Sequence, residues 1–215
     1  LGEKHYAHLT RNKVEDDLHT MVLVPVTYAN VLADLVTHLD KAPKAGEDFE
    51  QKARRVLKNK IIVELGSRYG TFLHVLKKLG AKPIGIEYNK AAVKIAKQAV
   101  DGIKVSVRHL DAANIKSINN GKIDAVVSHA FFDQGYLQDQ PHDIKDKTIL
   151  EELRRVLKPR GVLIMASYVP RFDKSQLEES NFKLIEEIRR TGPRRVKEGE
   201  FAHSTHWIAR KKGVK

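Results

Sequence analysis

A β-branched run that feeds straight into a glycine-bounded turn constrains this chain more than any other feature. Ile61, Ile62 and Val63 are consecutive and apolar, the pattern of a parallel strand covered on both faces. Glu64 and Leu65 lead into Gly66, Ser67, Arg68, Tyr69 and Gly70, after which Phe72, Leu73, Leu76 and Leu79 recur at helical spacing. Gly80 stands where a helix end commonly needs a left-handed residue. A second apolar stretch, Pro83 to Ile86, ends in Glu87. That acid follows Gly66 at close to the roughly 20 residues that separate a glycine turn from a ribose-binding carboxylate. The unit reads as part of an open parallel α/β sheet with a nucleoside crevice at the carboxyl ends of its strands.

A nicotinamide dinucleotide site shares this skeleton but needs a Gly-x-Gly-x-x-Gly turn, so that its pyrophosphate can approach the backbone. Here the spacing is Glu64-x-Gly66-x-x-x-Gly70, which lacks that pattern. A carboxylate just before the turn repels a pyrophosphate and suits an ammonium group. The expected ligand is therefore cationic at its amino-acid end.

With these residues in view, the stretch from Val56 to Arg210 resembles the class I S-adenosylmethionine-dependent methyltransferases. Glu64-x-Gly66-x-x-x-Gly70 is similar to that family's first motif, and Glu87 to its ribose-binding acid. Val107-Arg108-His109-Leu110-Asp111-Ala112 resembles the segment whose acid caps the adenine amino group. Residues 123–129 resemble the fourth strand, which ends beside the transferred methyl. Residues 149–164, with Pro159 and Gly161 between an apolar helix and an apolar strand, match the family's usual phrasing. The resemblance implies S-adenosylmethionine as methyl donor, held by Glu64, Gly66, Ser67, Arg68, Gly70, Glu87, Tyr88, Asp111, Ala112 and His129. One departure is Arg68, where many members carry a further glycine. Arginine lacks glycine's freedom at positive φ, and its guanidinium is free to meet the donor's carboxylate or to face solvent.

The expected fold is a doubly wound, mostly parallel seven-stranded α/β sheet with a C-terminal antiparallel hairpin and an N-terminal helical appendage. Residues 1–50 read as the helical cap and 51–215 as the methyltransferase domain. Over 14–39 the apolar positions suit one or two amphipathic helices, interrupted at Pro25. The polar stretch 41–50 reads as a connector. A helix is expected over 90–100 behind the cap Asn89, and strands over 182–188 and 205–210 around a turn region at 191–199.

On the acceptor side His129 closes the fourth strand, at the edge where ligands bind in open α/β sheets. Phe131, Phe132, Asp133 and Tyr136 follow it. His129, Asp133 and Tyr136 are the catalytic candidates, with His129 as a base if the acceptor must lose a proton. An Asn/Asp-Pro-Pro-Tyr-like sequence, used for exocyclic amines, is absent at Ser128-His129-Ala130-Phe131. His5, Tyr6, His8 and Tyr28 are expected to line the acceptor pocket from the N-terminal segment. His5-x-x-His8 and His203-x-x-His206 read as surface histidines, because nothing in sequence completes a metal set.

A small-molecule acceptor is favoured. RNA is the alternative, because the net charge is +12 and Arg189, Arg190, Arg194, Arg195, Lys197, Arg210, Lys211, Lys212 and Lys215 cluster near the end of the sequence. A catalytically silent donor-binding module is a third reading. With no cysteine there is neither a disulfide framework nor a thiolate nucleophile. No run is long enough to span a bilayer, and residues 1–10 lack a signal-peptide core, so a cytoplasmic location is expected.

Overall fold

The computed structural model describes residues 28–40, 42, 44–98, 102–132, 142–168, 174–197 and 200–212. Seven strands form one sheet: β1 (Ile61–Leu65), β2 (Lys82–Glu87), β3 (Ser106–His109), β4 (Ile123–His129), β5 (Leu157–Ser167), β6 (Phe182–Lys197) and β7 (Glu200–Lys211). Their order is β3-β2-β1-β4-β5-β7-β6, with β7 antiparallel to both β5 and β6 and the rest parallel. The strand order reverses between β1 and β4, which opens a crevice outside their carboxyl ends.

Helices cover both faces because the central strands are apolar on both. On one face, Ile62, Ala125, Val127, Val162, Ile164 and Ile208 meet α1 (28–39), α2 (Phe49–Leu57) and α3 (Thr71–Lys78). On the other, Val63, Leu65, Val126, Leu163 and Met165 meet α5 (His142–Val156) and α6 (Lys174–Glu179). The short α4 (Lys90–Ala96) packs Val93 and Ala96 beside Val105 and Val107 at the β3 edge. Helix α1 belongs fully to the first core: Val31, Leu35 and Val36 are each no more than 1% exposed. Asp40, which follows α1, bridges to Lys52 and Arg55 and so fixes α2 against it. Asp48 then starts α2 by accepting from the Gln51 N–H at 2.8 Å.

Several boundaries differ from the sequence expectation. Helix α4 stops at Ala96 rather than reaching residue 100, although Asn89 caps it as expected, accepting from Ala91 and Ala92. The connector is shorter, since α2 already starts at Phe49. The Pro159 turn lies inside β5, where pairing with β4 jumps from Leu157 to Val162 and Arg160 takes φ +61°. Strands β6 and β7 run well past 188 and start well before 205, because register shifts between Thr191 and Arg195 absorb Gly192 and Pro193 within the ladder. Residues 1–27, and with them His5, Tyr6 and His8, lie outside the described residues.

Candidate functional site

The turn after β1 is pinned to β2 by backbone hydrogen bonds. The N–H groups of Gly66 and Ser67 donate to the Ile86 carbonyl at 2.9 and 3.3 Å, and Gly70 donates to the Ser67 carbonyl at 2.8 Å. The Arg68 N–H donates to Glu87 Oε2 at 2.8 Å, and the Asn89 N–H to Glu87 Oε1 at 2.7 Å. Glu87 is thus held at the tip of β2, each oxygen keeping lone pairs for further donors. Two glycines make this closeness feasible. Gly66 has φ +65° with Phe131 Cδ2 only 3.1 Å from where a Cβ would lie. A Cβ on Gly85 would strike the Ser67 hydroxyl and sit 2.7 Å from Leu73 Cδ1. Arg68 takes φ +44°. The arginine therefore adopts a left-handed conformation that favours glycine, at a cost of about 1–2 kcal/mol.

Polar groups without protein partners gather here. Glu64 Oε2, Ser67 Oγ, Ser128 Oγ and His129 Nε2 are buried and make no hydrogen bond among the described residues. They lie on the turn and on the last two residues of β1 and β4, which register side by side with Glu64 opposite Val127 and Leu65 opposite Ser128. Buried polar atoms are normally paired, so a concentration of orphans marks a place meant for a ligand.

Glu64 is 2% exposed. Burial, reinforced by the charge of Glu87, pushes its carboxyl well above the ordinary range, and a hydrogen bond from Tyr28 opposes that shift. The Tyr28 hydroxyl is itself driven upward by burial and by Glu64, so it stays protonated. The Tyr28 ring stacks on Phe72, with centroids 4.8 Å apart and planes 11° apart. His129 lies between two tyrosine edges, Tyr28 at 5.9 Å and Tyr168 at 5.7 Å. Burial, helped by the charges of His206 and Arg68, lowers its imidazole to about 4. His129 is therefore neutral at physiological pH.

Behind His129 is a polar clasp between α1 and β7. His206, fully buried, meets Asp34 Oδ2 through Nδ1 at 2.6 Å and Ser204 Oγ through Nε2 at 3.2 Å. Arg190 bonds the other Asp34 oxygen. Burial works to raise the Asp34 carboxyl, but the bonds from His206 and Arg190 outweigh it and hold it below its ordinary value. His206 is accordingly a structural partner of Asp34 rather than a surface histidine.

The other expected site residues line the same crevice or fall outside the description. Tyr88 is exposed beside Glu87, and its carbonyl meets His109 Nε2 at 2.8 Å. Asp111 Oδ1 accepts from the Ala113 N–H at 3.0 Å in a tight turn just past β3, with Ala112 buried. Phe131 covers Gly66 and packs edge-on against the buried Phe132 at 4.9 Å. Asp133 and Tyr136 lie outside the described residues. Asp34, His206 and Tyr168 were not legible as site neighbours; an acid among the apolar positions of α1 was the available signal. A separate cavity of about 380 Å³ opens at the amino ends of β1 and β2, lined in part by Lys77, Lys82 and Lys104. Ligands of open α/β sheets bind at the opposite edge, so this cavity is not the site.

Comparisons with known proteins agree with this layout. The family model described as a methyltransferase domain matches residues 56–208. Among solved structures, an S-adenosylmethionine-dependent methyltransferase from Methanosarcina mazei is similar at 17% identity, over 73% of this chain and 94% of that one, with a TM-score of 0.58. A chain from the complex containing the Haloferax volcanii Trm112 methyltransferase activator is similar at 13% identity over 90% and 97%, with a TM-score of 0.58. An S-adenosylmethionine-dependent methyltransferase from Mesorhizobium loti is similar at 14% identity over 75% and 97%, with a TM-score of 0.56. At these identities the structural likenesses speak for the fold alone. No curated relative matches the sequence.

Proposed function

The chain belongs to the methyltransferase-domain family, and on that premise we propose that it moves a methyl group from S-adenosylmethionine to a small-molecule acceptor. One observation carries the donor assignment: the buried Glu64 Oε2, without a partner among the described residues, beside a left-handed glycine turn, with Glu87 at the tip of the neighbouring strand. When bound, the donor supplies a sulfonium-activated methyl that leaves by in-line displacement. The protein's part is to bind, orient and exclude water.

Each residue has a role that fits its surroundings. Glu64 receives the donor's amino group, for which the partnerless Oε2 is the right acceptor. Gly66 lets the chain pass close beneath it, and Arg68 offers a guanidinium to the carboxylate. Glu87 takes the ribose hydroxyls on the lone pairs left by Arg68 and Asn89. Tyr88 and Ala112 flank the base, and Asp111 accepts from its amino group. His129, neutral and with Nε2 unpaired, takes the acceptor's proton as the new bond forms. A base this weak suits a proton that becomes acidic late in the displacement, and it is poorly matched to stripping an alcohol in advance.

A small acceptor is favoured over RNA by the state of the basic side chains. Arg54, Arg55, Lys158, Arg155 and Arg190 are bound to carboxylates within the fold. Arg210, Lys211 and Lys212 bond backbone carbonyls. Within the C-terminal basic cluster, Arg190, Arg210, Lys211 and Lys212 are thus held against the fold, which speaks for a small acceptor over a phosphate track. Calorimetric titration with S-adenosylhomocysteine tests the donor reading. One-to-one binding is expected, and its absence would sink the assignment.

A further inference from the structure

We propose that Tyr28 and Tyr168 are positioning residues for the transfer: their rings grip His129 from two sides and hold its imidazole in one orientation, shielded from water. This rests on the reading of His129 as proton acceptor above. It adds to that reading one ring from α1 and one from just beyond β5.

The grip is geometric. The Tyr28 centroid lies 5.9 Å from that of His129 with the planes 66° apart, and the Tyr168 centroid 5.7 Å away with the planes 72° apart. Both are edge-to-face contacts, the arrangement that ring quadrupoles favour. Each tyrosine is fixed from elsewhere. Tyr28 lies flat on Phe72, which is 1% exposed. Its helix is held by Val31 and Leu35 in the core, and by Asp34 through His206 and Arg190. Tyr168 follows Ser167, which pairs with Thr205 on β7. The histidine's backbone is fixed as well. Ala166 of β5 pairs with His129 on one side and with His206 on the other, so the three side chains lie on the sheet face that α1 covers. Directly after His129 the chain leaves the sheet through Ala130, at φ +54°, whose N–H donates to the Ala166 carbonyl at 2.8 Å.

What the grip supplies follows from what His129 lacks. Its Nε2 is buried and has no partner among the described residues, so no hydrogen bond to that nitrogen sets the plane of the ring. The terminal torsion of a histidine is broad and roughly two-fold, and a flipped ring puts a carbon where the proton-accepting nitrogen belongs. A base must stand within hydrogen-bond reach of the proton it takes, and two ring contacts hold it there. The same rings keep water off. The titratable and charged groups around His129 are Tyr28 and Asp34 on α1, Glu64 on β1, Arg68 on the turn, Tyr168 after β5 and His206 on β7. Burial comes first in making the imidazole a weak base, followed by the charges of His206 and Arg68. Removing a tyrosine ring leaves both charges in place and admits water, so the imidazole becomes more basic.

The test follows the His129 ring by NMR in the full, unliganded chain carrying isotope-labelled histidine, over about pH 4.5 to 8. Loss of the signal in His129→Asn assigns it. In the native protein the midpoint lies below that range, at about 4. Tyr168→Ala and, separately, Tyr28→Leu should each raise it by about one unit or more, towards the ordinary value near 6.5. Tyr168→Phe keeps the ring and should restore the native titration. The two ring deletions lie on different elements, so if one variant fails to fold the other decides. A native midpoint near the ordinary value, a folded ring-deletion variant that titrates like the native protein, or a Tyr168→Phe shift as large as that of Tyr168→Ala would overturn the proposal. Equal turnover by His129→Ala would remove the base reading itself, and this inference with it.

Discussion

Replacing Glu64 with glutamine should separate binding from stability. Glu64 is buried, one of its oxygens has no partner, and burial together with Glu87 raises its carboxyl well above the usual value. The folded state thus holds a proton that the unfolded chain gives up at about pH 4.3. Above that pH the native protein loses stability steadily until the folded carboxyl also ionises, at about 1.4 kcal/mol per unit of separation. Glutamine keeps the shape, but it has no charge to bury. Glu64→Gln is therefore expected to be more stable than the native protein at pH 8, by about 1–3 kcal/mol or roughly 3–9 °C in melting temperature. The gain should shrink towards zero near pH 4.5. The same change removes the partner of the donor's amino group, so affinity for S-adenosylhomocysteine should fall by at least about thirtyfold, near 2 kcal/mol. Thermal unfolding followed by circular dichroism at several pH values, with calorimetry on the same samples, reads both effects. A variant that melts lower than native at pH 8, or binds as tightly, would refute the reasoning.

Other substitutions probe the rest of the site. Gly85→Ala should destabilise the protein by about 1–3 kcal/mol, because its Cβ meets Ser67 and Leu73 in a packed turn; unchanged melting would show that the turn is not seated on β2. Arg68→Gly should raise stability by up to about 1 kcal/mol by releasing the φ +44° strain, with weaker donor binding; a lower melting temperature would contradict that account. For turnover at saturating donor, His129 must be neutral, so kcat should stay flat from pH 8 down to about 5.5 and fall as pH drops through about 4. An acid limb near pH 6.5 would mean that His129 titrates normally or is not the base. His129→Ala should reduce turnover and leave donor affinity intact.

What could be read from the sequence follows from how local each signal is. The strand Ile61–Leu65, the glycine turn and Glu87 are near one another in the chain, so their spacing reports their geometry directly. The clasp is the opposite case: Asp34 meets His206 across 172 positions and Arg190 across 156. No short-range pattern encodes that meeting, so His206 read as a surface histidine although it is fully buried. Arg68 illustrates a different gap. Residue type argues against a positive φ, yet three hydrogen bonds between the turn and β2 over-determine the backbone there. At the hairpin, Gly192 and Pro193 signalled a turn, but irregular pairing carried the strand through them.

The most direct test of the central claim is calorimetric titration of S-adenosylhomocysteine into the native protein and into Glu87→Ala. One-to-one binding by the native protein, weakened at least about tenfold in the variant, is the expected result. No binding by the native protein, or equal affinity in the two, would contradict the assignment of this crevice to the methyl donor.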